Sequence, residues 1–220
     1  MRVAVGLVAK APVPGQVKTR LCPPFSPDQA AGLAAAMLTD TALTALGTGY
    51  EVLCVATGDQ AVIRAALPCA LPVLQQCGAG LAERLSNAQA GLFARGYDRV
   101  LLVGADCPTL DVAYLTAAEA ALDDVDVVLG PAHDGGYTVI GTDRHLPALF
   151  QGVPMSTSRT AAVTAARCRA TGLSLRTLAP RRDLDKVEDL GAAVAGGELR
   201  AAPSTRALLE SLLGTLLHAP

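Results

Sequence analysis

Aromatic residues are scarce in this chain of 220 residues, and tryptophan is absent. Phe, Trp and Tyr supply 3% of the sequence although 51% of it is hydrophobic, so Ala, Leu and Val must build the core. This scarcity disfavours sites that stack single-stranded bases on aromatic rings. An excess of positive charge is also missing, because the net charge is −2. We therefore expect no nucleic-acid partner.

Several familiar signatures are missing as well. No apolar run is long enough for a membrane span, and Lys10 interrupts the apolar N-terminus too early for a signal peptide. The six cysteines contain no C-x-x-C pair and no zinc spacing, which favours reduced thiols and a cytoplasmic location. The sequence has no Walker A motif, no G-x-G-x-x-G after a strand and no G-x-S-x-G. Phosphate binding would therefore need a different loop.

Strand and helix patterns alternate along most of the chain. Strands are predicted at 3–8, 51–56, 72–75, 99–103, 126–129, 137–140 and 173–178, and helices at 59–66, 81–95, 111–122, 157–170 and 185–195, with one more starting at the Ser26–Gln29 capping box. The alternation predicts a largely parallel sheet with helices on both faces. Only a short loop precedes strand 137–140, so this strand is expected to pair antiparallel or with a different neighbour. We predict a single three-layer α/β/α domain over residues 1–220, with a core at 1–195 and a C-terminal helix at 204–217.

A basic loop follows the first strand at residues 10–21. Loops at the carboxyl end of a first parallel strand are where open α/β sheets bind ligands. Cations and backbone N–H groups at such a position suit phosphate oxygens. The loop therefore predicts a nucleotide or another phosphorylated substrate, bound by Lys10, Gly15, Lys18, Thr19 and Arg20. Taken alone, the loop is explained equally well as a solvated basic turn.

Acidic residues follow two of the predicted strands. Asp106 ends the most hydrophobic strand, where a carboxylate could hold Mg²⁺ or Mn²⁺ or could serve as a turn residue. Asp183 and Asp185 lie two residues apart, so in an extended chain both would face the same side and could supply a second metal carboxylate. Asp185 could instead be a helix N-cap, with Glu188 completing a capping box.

Two glycine-containing segments are further candidates. In Gly130–Tyr137, paired glycines allow a ligand close to the backbone, although Asp-Gly-Gly also suits a hairpin turn, and His133 is expected to be a solvated loop residue. The segment Gln76–Arg84, with Gly80 and Arg84, could line a nucleobase or ribose pocket or be an ordinary helix start.

These motifs together resemble a bacterial family of small proteins in the nucleotide-diphospho-sugar transferase (glycosyltransferase A-type) superfamily, the arsenosugar-biosynthesis-type glycosyltransferases. The family motifs K-x-P-x-x-G-x-x-K-T-R-L, G-x-D-C-P and G-P-x-x-D-G-G-Y correspond to Lys10–Leu21, Gly104–Pro108 and Gly130–Tyr137, and Met155-Ser156-Thr157 replaces W-S-T. The similarity spans residues 3–190. The chain more distantly resembles molybdenum-cofactor and 2-phospholactate guanylyltransferases, which share D-x-D-x-x-E-D-L, here residues 183–190. The resemblance implies a Rossmann-like mixed sheet.

The resemblance implies a metal-dependent transferase and leaves two reactions open. In glycosyl transfer, an acceptor hydroxyl attacks the sugar of a nucleotide-sugar. In nucleotidyl transfer of the guanylyl or cytidylyl type, a phosphorylated small molecule attacks the α-phosphorus of an NTP. Pro108 in place of the second Asp of D-x-D favours nucleotidyl transfer, whereas the family assignment favours glycosyl transfer, which we place slightly ahead. A non-catalytic nucleotide-binding module is the third hypothesis.

The same resemblance assigns roles to the candidate residues. Lys18, Asp106 and Asp134 would be catalytic, with Mg²⁺ or Mn²⁺ held by Asp106 together with Asp183 or Asp185. The second substrate, a small-molecule acceptor, would contact Gly135, Gly136, Tyr137, Ser156 and Thr157.

Overall fold

A computed structural model describes residues 1–217, with side chains up to residue 214, and contains one seven-stranded sheet. The strands are β1 (Val3–Lys10), β2 (Glu51–Thr57), β3 (Val73–Gln75), β4 (Arg99–Gly104), β5 (Val127–Pro131), β6 (Tyr137–Thr142) and β7 (Leu175–Thr177). The helices are α1 (Pro27–Leu46), α2 (Gln60–Ala66), α3 (Leu81–Phe93), α4 (Val112–Ala121), α5 (Thr160–Ala170), α6 (Val187–Ala195) and α7 (Pro203–Leu217). Within the sheet the strand order is β3-β2-β1-β4-β6-β5-β7.

Strand β6 runs against the rest of the sheet. It pairs antiparallel with both β4 and β5, whereas all other neighbours pair in parallel. The predicted mixed sheet is therefore confirmed, and of the two expected pairings for this strand the antiparallel one is observed. Because β6 is reversed, its first residue lies at the same edge of the sheet as the last residues of β4 and β5.

Helices cover both faces of the sheet, as predicted. Alternate residues of β1 point to opposite sides: Val5 and Leu7 pack with residues of α1 and α4, and Ala4 packs with residues of α3 and α5. The alternation explains why the sequences of β1 and β4 are continuous hydrophobic runs, since each of their faces is buried. The arrangement is the predicted three-layer α/β/α architecture.

The starts of the helices show which capping predictions hold. Helix α1 begins as predicted, because the Ser26 hydroxyl accepts from the Gln29 N–H at 3.2 Å while the Gln29 side chain accepts from the Ser26 N–H at 2.8 Å. Of the two roles considered for Asp185, that of an N-cap of α6 is not observed. Asp189 accepts from the N–H groups of Asp185 and Lys186, and the helix begins at Val187. The side chain of Asp185 is therefore not an N-cap.

Helix α7 packs against α1 and is held at its start by a side chain of α1. Leu209 and Leu212 are buried and Leu208 is partly buried in a cluster with residues of α1 and α6, whereas Leu213 is exposed. The side chains of Leu216 and Leu217 lie outside the described residues. Asp40 is 1% exposed, and its carboxylate accepts from the N–H groups of Ser204 at 3.1 Å and Thr205 at 2.7 Å. A distant carboxylate therefore caps this helix.

The six cysteines form no disulfide, and three of them, Cys54, Cys107 and Cys168, are buried. Cys69 and Cys77 are exposed.

Among the described residues, no helix is both long and apolar enough to cross a membrane.

We expect Asp40→Ala to lower the free energy of unfolding by about 2 kcal/mol, because two helix N–H groups lose a buried, charged acceptor. Asp40→Asn keeps one acceptor oxygen of the same shape, so its loss should be smaller. Urea denaturation followed by circular dichroism measures both variants. A stability of Asp40→Ala equal to that of the wild type would show that water replaces the cap.

Candidate active site

Two adjoining cavities open at the carboxyl ends of β1 and β4. The β1 cavity encloses about 400 Å³ and is lined by Lys10, Lys18, Gln76, Arg84, Asp106 and Asp185, among others. The β6 cavity encloses about 320 Å³, and its wall includes Arg20, Asp106, Asp134, Gly136, Tyr137, Ser156, Asp183 and Asp185. Asp106 and Asp185 belong to both cavities, so their carboxylates lie where the two spaces meet.

An ion-pair network links the two shared carboxylates. The Lys18 Nζ lies 2.9 Å from Asp106 Oδ2 and 3.4 Å from Asp185 Oδ1. Arg20 Nη1 lies 2.7 Å from the other oxygen of Asp185. The Lys18 side chain is 7% exposed and that of Arg20 is 61% exposed. Lys18 therefore has a buried charge between two carboxylates, and Arg20 reaches into solvent from the same network.

The charges in this network shift its pKa values. Burial alone would lower the pKa of Lys18, but the nearby charges of Asp106 and Asp185 outweigh burial and raise it. The Lys18 charge in turn holds the pKa of Asp106 below its usual value, against the opposing effect of burial. The pKa of Asp183 moves the other way, to about 6, because burial and then the negative charges of Asp134 and Asp106 disfavour its ionised form.

The basic loop is shaped by its backbone as well as its charges. Lys18 has a φ of 47°, which lies in the left-handed region, and precedes a 3₁₀ turn at Thr19–Leu21. Leu21 is completely buried among residues of α1, α6 and α7 and anchors the turn. Lys10 Nζ donates to the carbonyl of Gln16 at 2.8 Å, which ties the start of the loop to its middle. A strained residue held in place by ion pairs is typical of a functional site.

The acidic segment 183–185 is attached to the end of β4 by the residue between its two aspartates. Leu184 is buried, and its N–H donates to the Asp106 carbonyl at 3.2 Å. With Leu184 turned inwards, Asp183 and Asp185 both line the β6 cavity. Of the two alternatives for this segment, the structure therefore has both aspartates at the same cavity.

The glycine-rich loop joins β5 to β6 and reaches the same edge because β6 is reversed. Asp134 is exposed, and its carboxylate accepts from the Gly136 N–H at 2.7 Å. Asp134, Gly136 and Tyr137 line the β6 cavity, as does Ser156. His133 is exposed and lies outside both cavities of this cleft, in agreement with a solvated loop residue.

Met155, which replaces Trp of the family motif, also lines the β6 cavity. Its sulfur lies 3.8 Å from the Tyr137 hydroxyl. It therefore contributes an apolar wall to this side of the cleft.

Five predicted site residues lie outside the linings of both cavities. They are Gly15, Thr19, Gly80, Gly135 and Thr157. The structure gives two of them a local role. The Thr157 hydroxyl donates to the Pro154 carbonyl at 2.8 Å, and Gly135, with a φ of +91°, leaves no room for a Cβ beside the Ser158 carbonyl. These two residues shape the loop around the β6 cavity.

The sequence patterns did not single out some side chains that complete the β1 cavity, although Gln16 and Gln76 lie within the candidate segments 10–21 and 76–84. These include Gln16, Thr57 and Gln76. Gln76 lies just after β3, and its position at the carboxyl end of a parallel strand is the signal that could have identified it. Thr57 ends β2 at the same edge of the sheet.

The carboxylates of the cleft can be compared with the ligands that the predicted Mg²⁺ or Mn²⁺ would need. In the described part of the chain, no three His, Cys, Asp or Glu side chains form a complete metal cage. Mg²⁺ commonly binds one or two carboxylates and takes its other ligands from water and substrate phosphates. Asp106 and Asp183 both line the β6 cavity and repel each other. This pair of oxygen donors fits Mg²⁺ or Mn²⁺ bound jointly with a phosphate ligand.

We expect Gly135→Ala to destabilise the protein by about 3 kcal/mol, because a Cβ adds a backbone clash to an unfavourable positive φ. Gly15→Ala is the matched control, since Gly15 has a φ of +73° and no atom lies within 4 Å of the place that a Cβ would take. It should cost only about 1 kcal/mol. Thermal and urea unfolding of the two variants measures the difference, and equal losses would contradict a packing role for Gly135.

Comparisons with known proteins identify the family. The family model described as "Uncharacterized protein conserved in bacteria (DUF2064)" matches residues 38–157, more than half of the chain. A phosphoenolpyruvate guanylyltransferase of Sphaerobacter thermophilus is 31% identical over 182 residues, which cover 79% of this chain and 84% of the relative. A 2-phospho-L-lactate guanylyltransferase of Methanothermobacter thermautotrophicus is 29% identical over 123 residues. That match covers 56% of this chain and about half, 55%, of the relative.

A solved structure shows the same fold over nearly the whole chain. A candidate nucleotide-diphospho-sugar transferase from Desulfovibrio desulfuricans G20 superposes with a TM-score of 0.88 at 30% identity and covers 96% of this chain and 95% of its own. The names of all three relatives agree with the predicted transferase class. The predicted superfamily is confirmed: the chain belongs to the DUF2064 family of bacterial proteins, in the nucleotide-diphospho-sugar transferase superfamily.

Proposed function

We propose that the protein is a nucleotidyltransferase that joins the nucleoside monophosphate part of an NTP to a phosphorylated small molecule. The observation that carries this proposal is the meeting of two cavities at Asp106 and Asp185, with the Lys18 ammonium between them. Two substrates bound side by side would have their reacting groups at this junction. The two guanylyltransferase relatives support the proposal, and the acceptors in their names are phosphorylated carboxylic acids.

The cations of the cleft suggest which substrate each cavity takes. Lys10, Lys18 and Arg84 line the β1 cavity, which therefore suits the triphosphate and the nucleoside of an NTP. The smaller β6 cavity suits the acceptor. Arg20 lines this cavity from the exposed side and offers a guanidinium to an acceptor phosphate.

In the proposed reaction, an oxygen of the acceptor phosphate attacks the α-phosphorus of the NTP. A new P–O bond forms, and the bond from the α-phosphorus to the oxygen shared with the β-phosphorus breaks. Pyrophosphate leaves with the electron pair of that bond. A phosphate monoester is largely ionised at neutral pH, so the nucleophile has no proton to lose. The protein's task is to position the two substrates and to stabilise negative charge, which Lys18 and Arg20 are placed to do.

Mg²⁺ or Mn²⁺ belongs to this proposal as a second source of positive charge. Asp106 and Asp183 would hold it, since both line the β6 cavity, in which the acceptor phosphate is placed. A bound divalent cation would supply charge neutralisation at the phosphate oxygens. Lys18 keeps Asp106 ionised, which preserves its capacity as a ligand.

Glycosyl transfer from a nucleotide-sugar remains the second candidate, because the Desulfovibrio desulfuricans protein carries the name of that class. Only one carboxylate follows β4 within the motif, since Pro108 stands at the second acidic position of D-x-D. That departure and the two guanylyltransferase relatives favour nucleotidyl transfer.

The reaction is tested with each NTP, Mg²⁺ and a panel of phosphorylated carboxylic acids, with pyrophosphate release as the readout. Acceptor-dependent release supports nucleotidyl transfer. Release of a nucleoside diphosphate from a nucleotide-sugar, with no pyrophosphate from any NTP, would support glycosyl transfer instead. Binding of a nucleotide without either reaction would favour a non-catalytic module.

We expect Lys18→Ala to weaken NTP binding by about 1.5–3 kcal/mol, the scale of hydrogen bonds to charged groups. Calorimetric titration with an NTP, in the absence of an acceptor, measures this loss. Lys186→Ala is the matched control, because Lys186 is exposed and lines neither cavity. Unchanged affinity in Lys18→Ala, with normal folding, would remove Lys18 from the phosphate site.

We expect Asp106→Asn to abolish the dependence of NTP binding on Mg²⁺ or Mn²⁺, because the amide offers a metal one neutral oxygen in place of a carboxylate. The measurement compares NTP affinity with the metal and with a chelator, and circular dichroism checks that the variant folds. If the metal strengthened binding as much as in the wild type, Asp106 would not be a metal ligand.

A further inference from the structure

We propose that Gln76 recognises the base of the nucleotide and selects guanine through its side-chain oxygen. The inference rests on the proposed function, because it assumes that an NTP occupies the β1 cavity. It goes further by assigning base selection to a single carboxamide.

The orientation of the Gln76 carboxamide is set by the sheet. Its Nε2 donates to the carbonyl of Ala9 at 3.1 Å and to the carbonyl of Val55 at 2.8 Å. Two carbonyl acceptors require the NH₂ group on that side, because the amide oxygen would repel them. Both N–H donors are used in this way, so the polar atom left for a ligand is Oε1.

The Oε1 atom of Gln76 is fixed in position and available to accept a hydrogen bond from a ligand. Gln76 lines the β1 cavity, and in the described residues its Oε1 has no hydrogen-bond partner. The backbone N–H of Gln76 donates to the Ala56 carbonyl at 2.8 Å, which fixes the main chain as well. Because this acceptor is already fixed, little conformational entropy is lost when it binds a donor. Its fixed position also favours ligands that place a donor at the same point.

The position of Gln76 suits the base end of an NTP. Its carboxamide bonds to carbonyls of β1 and β2, whereas Asp106 follows β4, on the other side of β1. Neighbouring strands lie about 4.8 Å apart, so the amide and Asp106 are separated by about one to two strand spacings. A nucleotide whose phosphates lie near Lys18 and Asp106 would therefore extend its base towards Gln76.

Guanine matches a single fixed acceptor better than the other bases do. Its edge carries two adjacent donors, N1–H and the N2 amino group, and both can point at one amide oxygen. Adenine and cytosine present one amino group beside an unprotonated ring nitrogen, whose lone pair repels that oxygen. Uracil presents one N–H between two carbonyls. A site built around a hydrogen bond rejects analogues that leave its polar atom unpaired.

The experiment measures dissociation constants of GTP, ITP and ATP with Mg²⁺ for the wild type, Gln76→Leu and Gln76→Met. ITP keeps N1–H but lacks the 2-amino group, so the wild type should bind GTP most tightly, ITP less tightly and ATP at least tenfold more weakly than GTP. In both Gln76 variants the preference for GTP over ATP should fall at least tenfold, with ATP affinity nearly unchanged.

Gln75→Leu is the matched control, because Gln75 is exposed, precedes Gln76 directly and does not line the cavity. It should keep the preference for GTP. Equal weakening of all three nucleotides in the Gln76 variants would mean that the amide only braces the strands, and would overturn the inference. A wild type with no preference for GTP would overturn it without any variant, even if neither variant folded. If no NTP bound the wild type, the proposed function itself would fail, which is a distinguishable result.

Discussion

The Lys18 ammonium joins three parts of the chain that are far apart in sequence. It lies in a loop after β1, contacts Asp106 after β4 and contacts Asp185 before α6. Its side chain is almost fully buried, so its charge would be costly without these two partners. The pairing holds the two carboxylates close together at the junction of the two cavities. The arrangement of the cleft depends on this one buried cation.

The reversed strand β6 supplies the other half of the cleft. If β6 were parallel to β5, a long crossover would be needed between them, and β6 would begin at the opposite edge of the sheet. A hairpin from β5 to β6 instead leaves Asp134 and Gly136 at the edge where β1 and β4 end. The second cavity therefore forms directly beside the first.

The two cavities differ in the polar groups that they present. Both cavities contain the carboxylates of Asp106 and Asp185. The β1 cavity adds Lys10, Lys18, Arg84 and the fixed amide of Gln76, and the β6 cavity adds Asp134, Asp183 and Arg20. This difference is the physical basis for placing an NTP in the first and an acceptor in the second. In the second cavity, burial and the negative charges of Asp134 and Asp106 raise the pKa of Asp183 to about 6.

The sequence by itself determined the alternation of strands and helices, the mixed sheet and the position of the charged motifs. Local signals carry this information: hydrophobic period, a capping box at Ser26 and a loop too short for a parallel crossover. The spacing suggested Asp185 with Glu188 as a capping box of α6, and it did not show that Asp189 is the carboxylate that accepts from the N–H groups there. It also did not single out Gln76 or Asp40. Their roles depend on backbone groups of distant strands and helices, which come into contact only when the tertiary structure forms.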